Sequence, residues 1–315
     1  LGKDLNNWQD DAKRGRAERF ERSLKDDALD QLKASVRTSF YTPAPVVRAI
    51  YDALLDLGLA GNVIKILEPS AGVGNFIGLL PDELAHANVT GVEIDDTTAR
   101  IAKKLYRGHT IYHKSFEKAP LAPNSFDVVV GNVPFSDAEG APTGDWRKTV
   151  PSNVKHLHNH FILHALDKVR PNGLVALIVP TSTLNGTTSK SARQAIADKA
   201  NFLGAIRLPE STFEKTAGTK TATDILFLQK RAPGEEAQHV APWIETVERE
   251  IEGKKGDARV VIRKSVNEYF SQNPQRIIGQ ETLGGQYQNA YTIEFTGDLS
   301  RELPDRLRSM VQQAQ

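Results

Sequence analysis

The chain has 315 residues, 39% hydrophobic and 25% charged, a balance that excludes disorder as a whole and is ordinary for a soluble globular protein with one sizeable domain plus extensions. Forty Lys and Arg against 39 Asp and Glu leave a formal charge of +1, so a nucleic-acid partner would have to be held by a local patch and not by a general basic field. The absence of cysteine removes disulfides, thiolate zinc sites and thiol nucleophiles, and no apolar run reaches the roughly 18 residues that a membrane span needs. The opening Leu1-Gly2-Lys3-Asp4 has neither an initiator Met nor an apolar signal core, and the expectation is a cytoplasmic protein represented by a fragment.

Residues 1–39 are dense in both charge signs, with Trp8, Ala12, Phe20, Leu24, Leu29 and Leu32 at loosely helical spacing; they read as an amphipathic helical extension. A helix is predicted over 45–57 and stopped by Gly58. A β-branched strand over 63–68 runs into the glycine turn Ser70-Ala71-Gly72-Val73-Gly74 and a helix starting at Asn75-Phe76. A second strand, 89–94, ends in acids and precedes a helix over 97–105 capped by Asp96 or Thr97. Further strands are predicted at 110–112, 126–130 and 174–179, the last preceded by a helix over 161–169 and the turn 171–173, with 205–208 and 224–229 closing the sheet edge. Repeated β-α units predict an α/β, Rossmann-like fold on a seven-stranded, mostly parallel sheet. Composition shifts after Arg231, which divides the chain into a helical extension (1–39), a catalytic domain (40–231) and a small C-terminal extension (232–315) without recognisable chemistry.

Two features of the first half carry ligand chemistry. Glu68-Pro69-Ser70-Ala71-Gly72-Val73-Gly74 departs from the dinucleotide fingerprint in having two glycines and an acid at the strand end. An acid there would repel a pyrophosphate at the helix N-terminus but not an ammonium group. Glu93, about 20 residues on, is placed to accept two ribose hydroxyls. Together these suit S-adenosylmethionine, which has an amino acid, a ribose and no phosphate; the competing interpretation is a plain β-turn-α corner with a surface acid. Gly131-Asn132-Val133-Pro134-Phe135 follows a fully apolar strand and so falls at the carboxyl end of the sheet, where open α/β folds bind ligands.

That last string resembles the amino-methyltransferases of the adenine-N6 type, whose signature is Asn-Pro-Pro followed by Tyr or Phe, with Val133 here replacing the first proline. The resemblance implies catalysis at Asn132, Val133, Pro134 and Phe135. Asn132 Oδ1 and the Val133 carbonyl would accept the two amine hydrogens of adenine, Phe135 would stack on the extruded base, and Pro134 would hold the loop. It also implies that Phe40, Tyr41, Thr42 and Pro43 close over the methionine end of S-adenosylmethionine. The remaining cofactor contacts would come from Glu68, Pro69, Ala71, Gly72, Gly74, Asn75, Phe76, Glu93, Ile94, Ser115, Phe116 and Phe161. Cofactor segment before catalytic loop is the gamma order of that family. Ser115 stands where the family usually has an acid on the adenine amine, a role Glu117 could take.

A closer resemblance covers residues 40 to about 280, through the strings GNVPF, LPESTFEKTAGTKTATDILFLQKR and NEYFSQNPQRIIG. It is to the methylase segment of large phage and plasmid proteins in which the methylase is joined to a helicase. It implies a DNA adenine methylase of a mobile element, acting in defence evasion or transfer, with DNA and a helicase region of the same longer polypeptide as partners.

Without cysteine the thiolate route to cytosine C5 is closed, whereas amine methylation is untouched. Cytosine N4, RNA adenine, a protein glutamine amide, or a catalytically silent cofactor- or DNA-binding module remain the alternatives. His156, His158, His160 and His164 crowd a helix start, but no acidic partner accompanies them and no metal is expected. The long loop after the catalytic string contains Trp146, Arg147, Lys148 and Lys155, which are expected on DNA, with Lys190, Arg193, Lys215 and Lys220 adding a basic rim. With no evident recognition element, little discrimination among DNA sequences is expected.

Overall fold

The computed structural model describes residues 42–61, 63–135, 144–214, 220–237, 241–255, 258–284 and 290–314. Seven strands form the main sheet: β1 (Lys65–Glu68), β2 (Asn88–Glu93), β3 (Thr110–His113), β4 (Phe126–Asn132), β5 (Val169–Pro180), β6 (Ala200–Leu208) and β7 (Thr223–Lys230). Their order is β3-β2-β1-β4-β5-β7-β6, with β7 antiparallel to both neighbours and the other pairs parallel. The chain reverses its direction of winding between β1 and β4, which opens a crevice at their carboxyl ends.

Alternation along the strands sorts the core into two layers. Ile66, Val128, Val130, Ala176 and Ile178 face α1 (Ala44–Asp56), where they meet Val46, Val47, Ile50 and Leu54. Leu67, Val129, Val175, Leu177 and Val179 face the opposite layer with Ile162, Ala165 and Leu166. Burial on both faces explains why these strands read as unbroken apolar runs. The glycine turn leads into the short α2 (Asn75–Gly78), and α3 (Asp96–Leu105) connects β2 to β3. Its cap is Asp95, one residue earlier than expected: Asp95 Oδ1 accepts the Thr98 amide at 2.8 Å. The helix before β5, α4 (Leu157–Lys168), starts four residues before the predicted 161, because buried histidines and not an apolar stripe fill its first turns. Two shorter helices, α5 (Ser182–Asn185) and α6 (Lys190–Ala197), lie between β5 and β6. Among the described residues no helix is long and apolar enough to cross a membrane.

Residues after 231 are more structured than their composition predicts. β8 (Thr246–Lys255), β9 (Ala258–Asn267), β10 (Gln280–Gly284) and β11 (Ala290–Glu294) make a second sheet in the order β11-β10-β8-β9, with α7 (Glu268–Gln272) between β9 and β10. The terminal α8 (Leu299–Ala314) buries Leu303, Leu307, Met310 and Val311 in the layer that holds α1. That stripe is one or two residues per turn among many charges, too sparse to stand out in the sequence.

A buried ion pair lies within the main sheet, and its arginine reaches the second sheet. Arg207 on β6 and Asp224 on β7 are both fully buried and bonded twice, Nε to Oδ1 at 2.7 Å and Nη2 to Oδ2 at 2.9 Å. Arg207 also donates to Tyr291 Oη at 2.8 Å and Asn185 Oδ1 at 3.0 Å, and its guanidinium carbon lies 4.0 Å from the Phe270 ring centroid. Arg207→Ala would leave Asp224 buried without its cation, and unfolding in urea should show a loss of about 3 to 5 kcal/mol. A change below 1 kcal/mol, on the order of an exposed pair, would refute this account.

Candidate active site

The site is built where β1, β2 and β4 end. Gly72 (φ 56°) and Gly74 (φ 88°) turn the chain in the left-handed region, and a Cβ on Gly74 would collide with the Tyr106 ring. The turn is pinned to β2: the Ala71 amide donates to the Val92 carbonyl at 2.8 Å and the Gly72 amide to Glu93 Oε2 at 2.7 Å. Glu93 Oε1 accepts the Asp95 amide at 2.8 Å. Asn75 Nδ2 donates to the Thr42 carbonyl at 3.1 Å, drawing in the segment ahead of α1. On the β4 side, Ser70 Oγ donates to the Asn132 carbonyl at 2.6 Å and the Val133 amide to the Ile178 carbonyl at 3.1 Å.

These strand ends enclose a cavity of about 450 Å³. Of the residues singled out in the sequence, Thr42, Glu68, Pro69, Ala71, Gly72, Asn75, Phe76, Glu93, Ile94, Ser115, Phe116, Phe161, Asn132, Val133 and Pro134 line it. Pro43 caps α1 instead, Gly74 leads the turn into α2, and Phe135 is half-buried between the two hydrophobic layers. Phe40 and Tyr41 lie outside the described residues. Ser70 and Val73, within the cofactor turn 68–76 read from the sequence, line the cavity as well, as do Val92, Asp95, Lys114 and Leu157, which were not read from it. Leu157 had a usable signal, lying one helical turn before Phe161. The bond of Ser70 to Asn132 had none, since the two are 62 residues apart.

Trp146 corrects an expectation. It is 6% exposed, faces the cavity, and packs against Phe116 (5.9 Å between centroids), Phe161 (5.6 Å) and His164 (5.0 Å), so it forms an inner wall and not the exposed loop surface that was expected. Arg147, Lys148 and Lys155 are exposed and outside the cavity lining. Of the rim residues, Arg193 is 1% exposed and bonds the carbonyls of Ile244, Thr183 and Gly186, so it is not a surface cation. Lys190 pairs with Glu245 and Lys220 with Glu214, while Lys215 lies outside the described residues.

The cavity floor is acidic. Glu68 is 2% exposed, and burial first, then the nearby Glu93 charge, hold its carboxyl well above the usual carboxylate range. Burial also raises Glu93, against the lowering effect of the Asp95 and Gly72 amides. Glu68 Oε2 is buried with no hydrogen-bond partner among the described residues. An acceptor left in this state costs about 1 to 3 kcal/mol unless a ligand donates to it. The opposite wall is aromatic, from Phe116, Trp146 and Phe161. An acidic end for an ammonium, a carboxylate for a ribose and aromatic faces for a base fit S-adenosylmethionine.

Known proteins agree with that geometry. Residues 20–258 match the N-6 DNA methylase family. The chain is 34% identical over 205 residues to the Defense against restriction protein B of Escherichia phage P1, covering 64% of this chain and 9% of that protein. It is 28% identical over 203 residues to the Type II methyltransferase M.CvrRI of Paramecium bursaria Chlorella virus XZ-6E, covering 62% and 49%. The chain thus spans less than half the length of these relatives. A crystal structure described as a putative class I S-adenosylmethionine-dependent methyltransferase from Listeria monocytogenes superposes with a TM-score of 0.53 at 20% identity, over 64% of each chain, a likeness of fold. Fold and cavity define a Rossmann-like methyltransferase with a seven-stranded sheet. Within that class, the chain belongs to the N-6 DNA methylase family.

Two measurements test the cavity. The ionised form of Glu68 attracts an ammonium, and its pKa is raised, so affinity for S-adenosylmethionine should be full above that raised pKa and lost as pH falls through it. Glu68→Gln should weaken binding above that raised pKa and flatten this dependence in titrations that run upward from the usual carboxylate range; equal slopes would remove Glu68 from the ligand. Trp146→Ala should weaken the cofactor about tenfold, in line with aromatic contacts of roughly 0.5 to 1.5 kcal/mol, and leave DNA affinity unchanged. Loss of DNA affinity alone would return Trp146 to the DNA face.

Proposed function

We propose that this chain transfers a methyl group from S-adenosylmethionine to the exocyclic N6 amine of adenine in DNA. The observation that carries this reading is the common cavity: Asn132, Val133 and Pro134 share its lining with Glu68, Glu93 and Phe161. Family membership and the named activity of the viral relative support it.

When bound, S-adenosylmethionine supplies an electrophilic methyl group on a sulfonium. The chain's own residues prepare the acceptor. The lone pair of an adenine amine is delocalised into the ring, so it is a poor nucleophile until acceptors localise it. Asn132 Oδ1 takes one amine hydrogen and the Val133 carbonyl the other, drawing the nitrogen toward tetrahedral geometry as positive charge develops. A backbone carbonyl serves equally whether its residue is proline or valine. Pro134 restrains the loop, and Phe135, which packs beside the cavity and not in its lining, would have to turn toward the extruded base to stack on it, a contact worth about 1 to 3 kcal/mol. Glu68 holds the ammonium end of the cofactor and Glu93 its ribose.

Arg147, Lys148 and Lys155 are the proposed phosphate contacts, which makes binding salt-dependent and sparing in sequence discrimination. A helicase region of the same longer polypeptide as a partner, and action on DNA in the cytoplasm, are further parts of this proposal; the relatives matched are longer than the chain. Asn132→Ala should abolish methyl transfer and leave S-adenosylmethionine affinity within a few fold. Base-resolution mapping of methylated adenines, with calorimetry of the cofactor, checks both halves. Near-normal turnover would refute the mechanism.

A further inference from the structure

We propose that Ser70 is a positioning residue for methyl transfer: its hydroxyl locks the peptide group between Asn132 and Val133, and so sets the placement of both amine acceptors. The inference rests on the reading of Asn132 and Val133 above.

β1 and β4 are parallel neighbours with Leu67 opposite Val129. Ser70 is three residues beyond Leu67 and Asn132 three beyond Val129, so the two chains leave the sheet side by side. Ser70 Oγ then donates to the Asn132 carbonyl at 2.6 Å, while the Val133 amide donates to the Ile178 carbonyl on β5 at 3.1 Å. That carbonyl and that amide belong to one peptide group. Its oxygen is held from the β1 side and its N–H from the β5 side, with β4 between them. A planar group held at both ends cannot rotate. Its orientation restrains ψ of Asn132 on one side and φ of Val133 on the other, and so the placement of the Asn132 Cβ and of the Val133 carbonyl carbon at the carboxyl end of the sheet.

Valine makes this lock necessary. Proline at position 133 would fix φ through its ring but would have no N–H for Ile178. Valine supplies the N–H and leaves φ free, so hydrogen bonds do the work of a ring. Ser70 also sits within the turn that carries the cofactor contacts, which ties the acceptor geometry to the turn on which the methyl donor rests.

Ser70→Ala should lower kcat about 5- to 10-fold, the worth of one well-made hydrogen bond, with the Kd for S-adenosylmethionine and the melting temperature nearly unchanged. Ser70→Thr, which keeps the hydroxyl, should restore kcat. Independently of turnover, hydrogen exchange at the Val133 amide should accelerate about tenfold in Ser70→Ala and remain slow in Ser70→Thr. Full kcat with unaltered Val133 exchange in Ser70→Ala would overturn the proposal. So would a loss of cofactor affinity that accounts for the whole effect. If the unaltered protein methylates no adenine, the proposed function fails, and Val133 exchange still decides whether Ser70 holds the loop.

Discussion

The Glu93 carboxylate, accepting the Gly72 amide at 2.7 Å and the Asp95 amide at 2.8 Å, is the interaction on which the cavity depends. It closes the glycine turn after β1 against the end of β2 and sets the two acidic strand ends across one buried space, where the Glu93 charge raises Glu68. Backbone donors offset the cost of burying the charge, though burial still prevails and keeps the carboxyl above its ordinary pKa. A carboxylate has about four lone-pair sites, and the Gly72, Asp95 and Ile94 amides engage three of them. The same group that shapes the turn therefore retains acceptor capacity toward a ribose.

The aromatic wall is held in a different way. Thr149 Oγ1 bonds His164 Nδ1 at 2.9 Å, and His160 Nε2 bonds the Val154 carbonyl at 2.9 Å, so α4 grips the segment that carries Trp146. His158 stacks on His156 at 5.3 Å, and its pKa is lowered to about 3 by burial and by the neighbouring His156 and His160. A histidine that stays neutral at all ordinary pH values serves as a packed aromatic ring. Among the described residues no group of three or more His, Asp or Glu side chains could hold a metal ion.

Buried arginines give the C-terminal elements their fixed place. Arg193 bonds three carbonyls that surround it, one of them on the segment before β8. Arg276 reaches the Arg306 and Ser309 carbonyls of α8 at 3.0 and 3.2 Å, and Arg231 bonds the carbonyls of Ala197, Asp198 and Ala200, from the end of α6 to the start of β6. Each guanidinium satisfies carbonyls that would otherwise be buried without donors, which is how so much arginine enters the interior of a chain with a net charge of only +1.

The sequence by itself determined the alternation of strands and helices and the class of ligand. Apolar runs of strand length, a two-glycine turn after Glu68 and an Asn-x-Pro-Phe string at a strand end are local patterns, and local propensity and burial produce them directly. Tertiary structure alone decided what depends on residues distant in the chain. Trp146 turned inward because Phe116, Phe161 and His164 offer it an aromatic recess, while a lone Trp in a polar loop reads as exposed. Arg193 and Arg207 became interior cations because carbonyls and Asp224 converge on them, and sequence does not show which charge will meet a partner. The second sheet escaped notice because its strands carry charges on the exposed face, and α8 because four apolar residues suffice to cover α1. Ser70 meets the Asn132 carbonyl only because β1 and β4 lie side by side, and a hydrogen bond across 62 residues leaves no periodic trace.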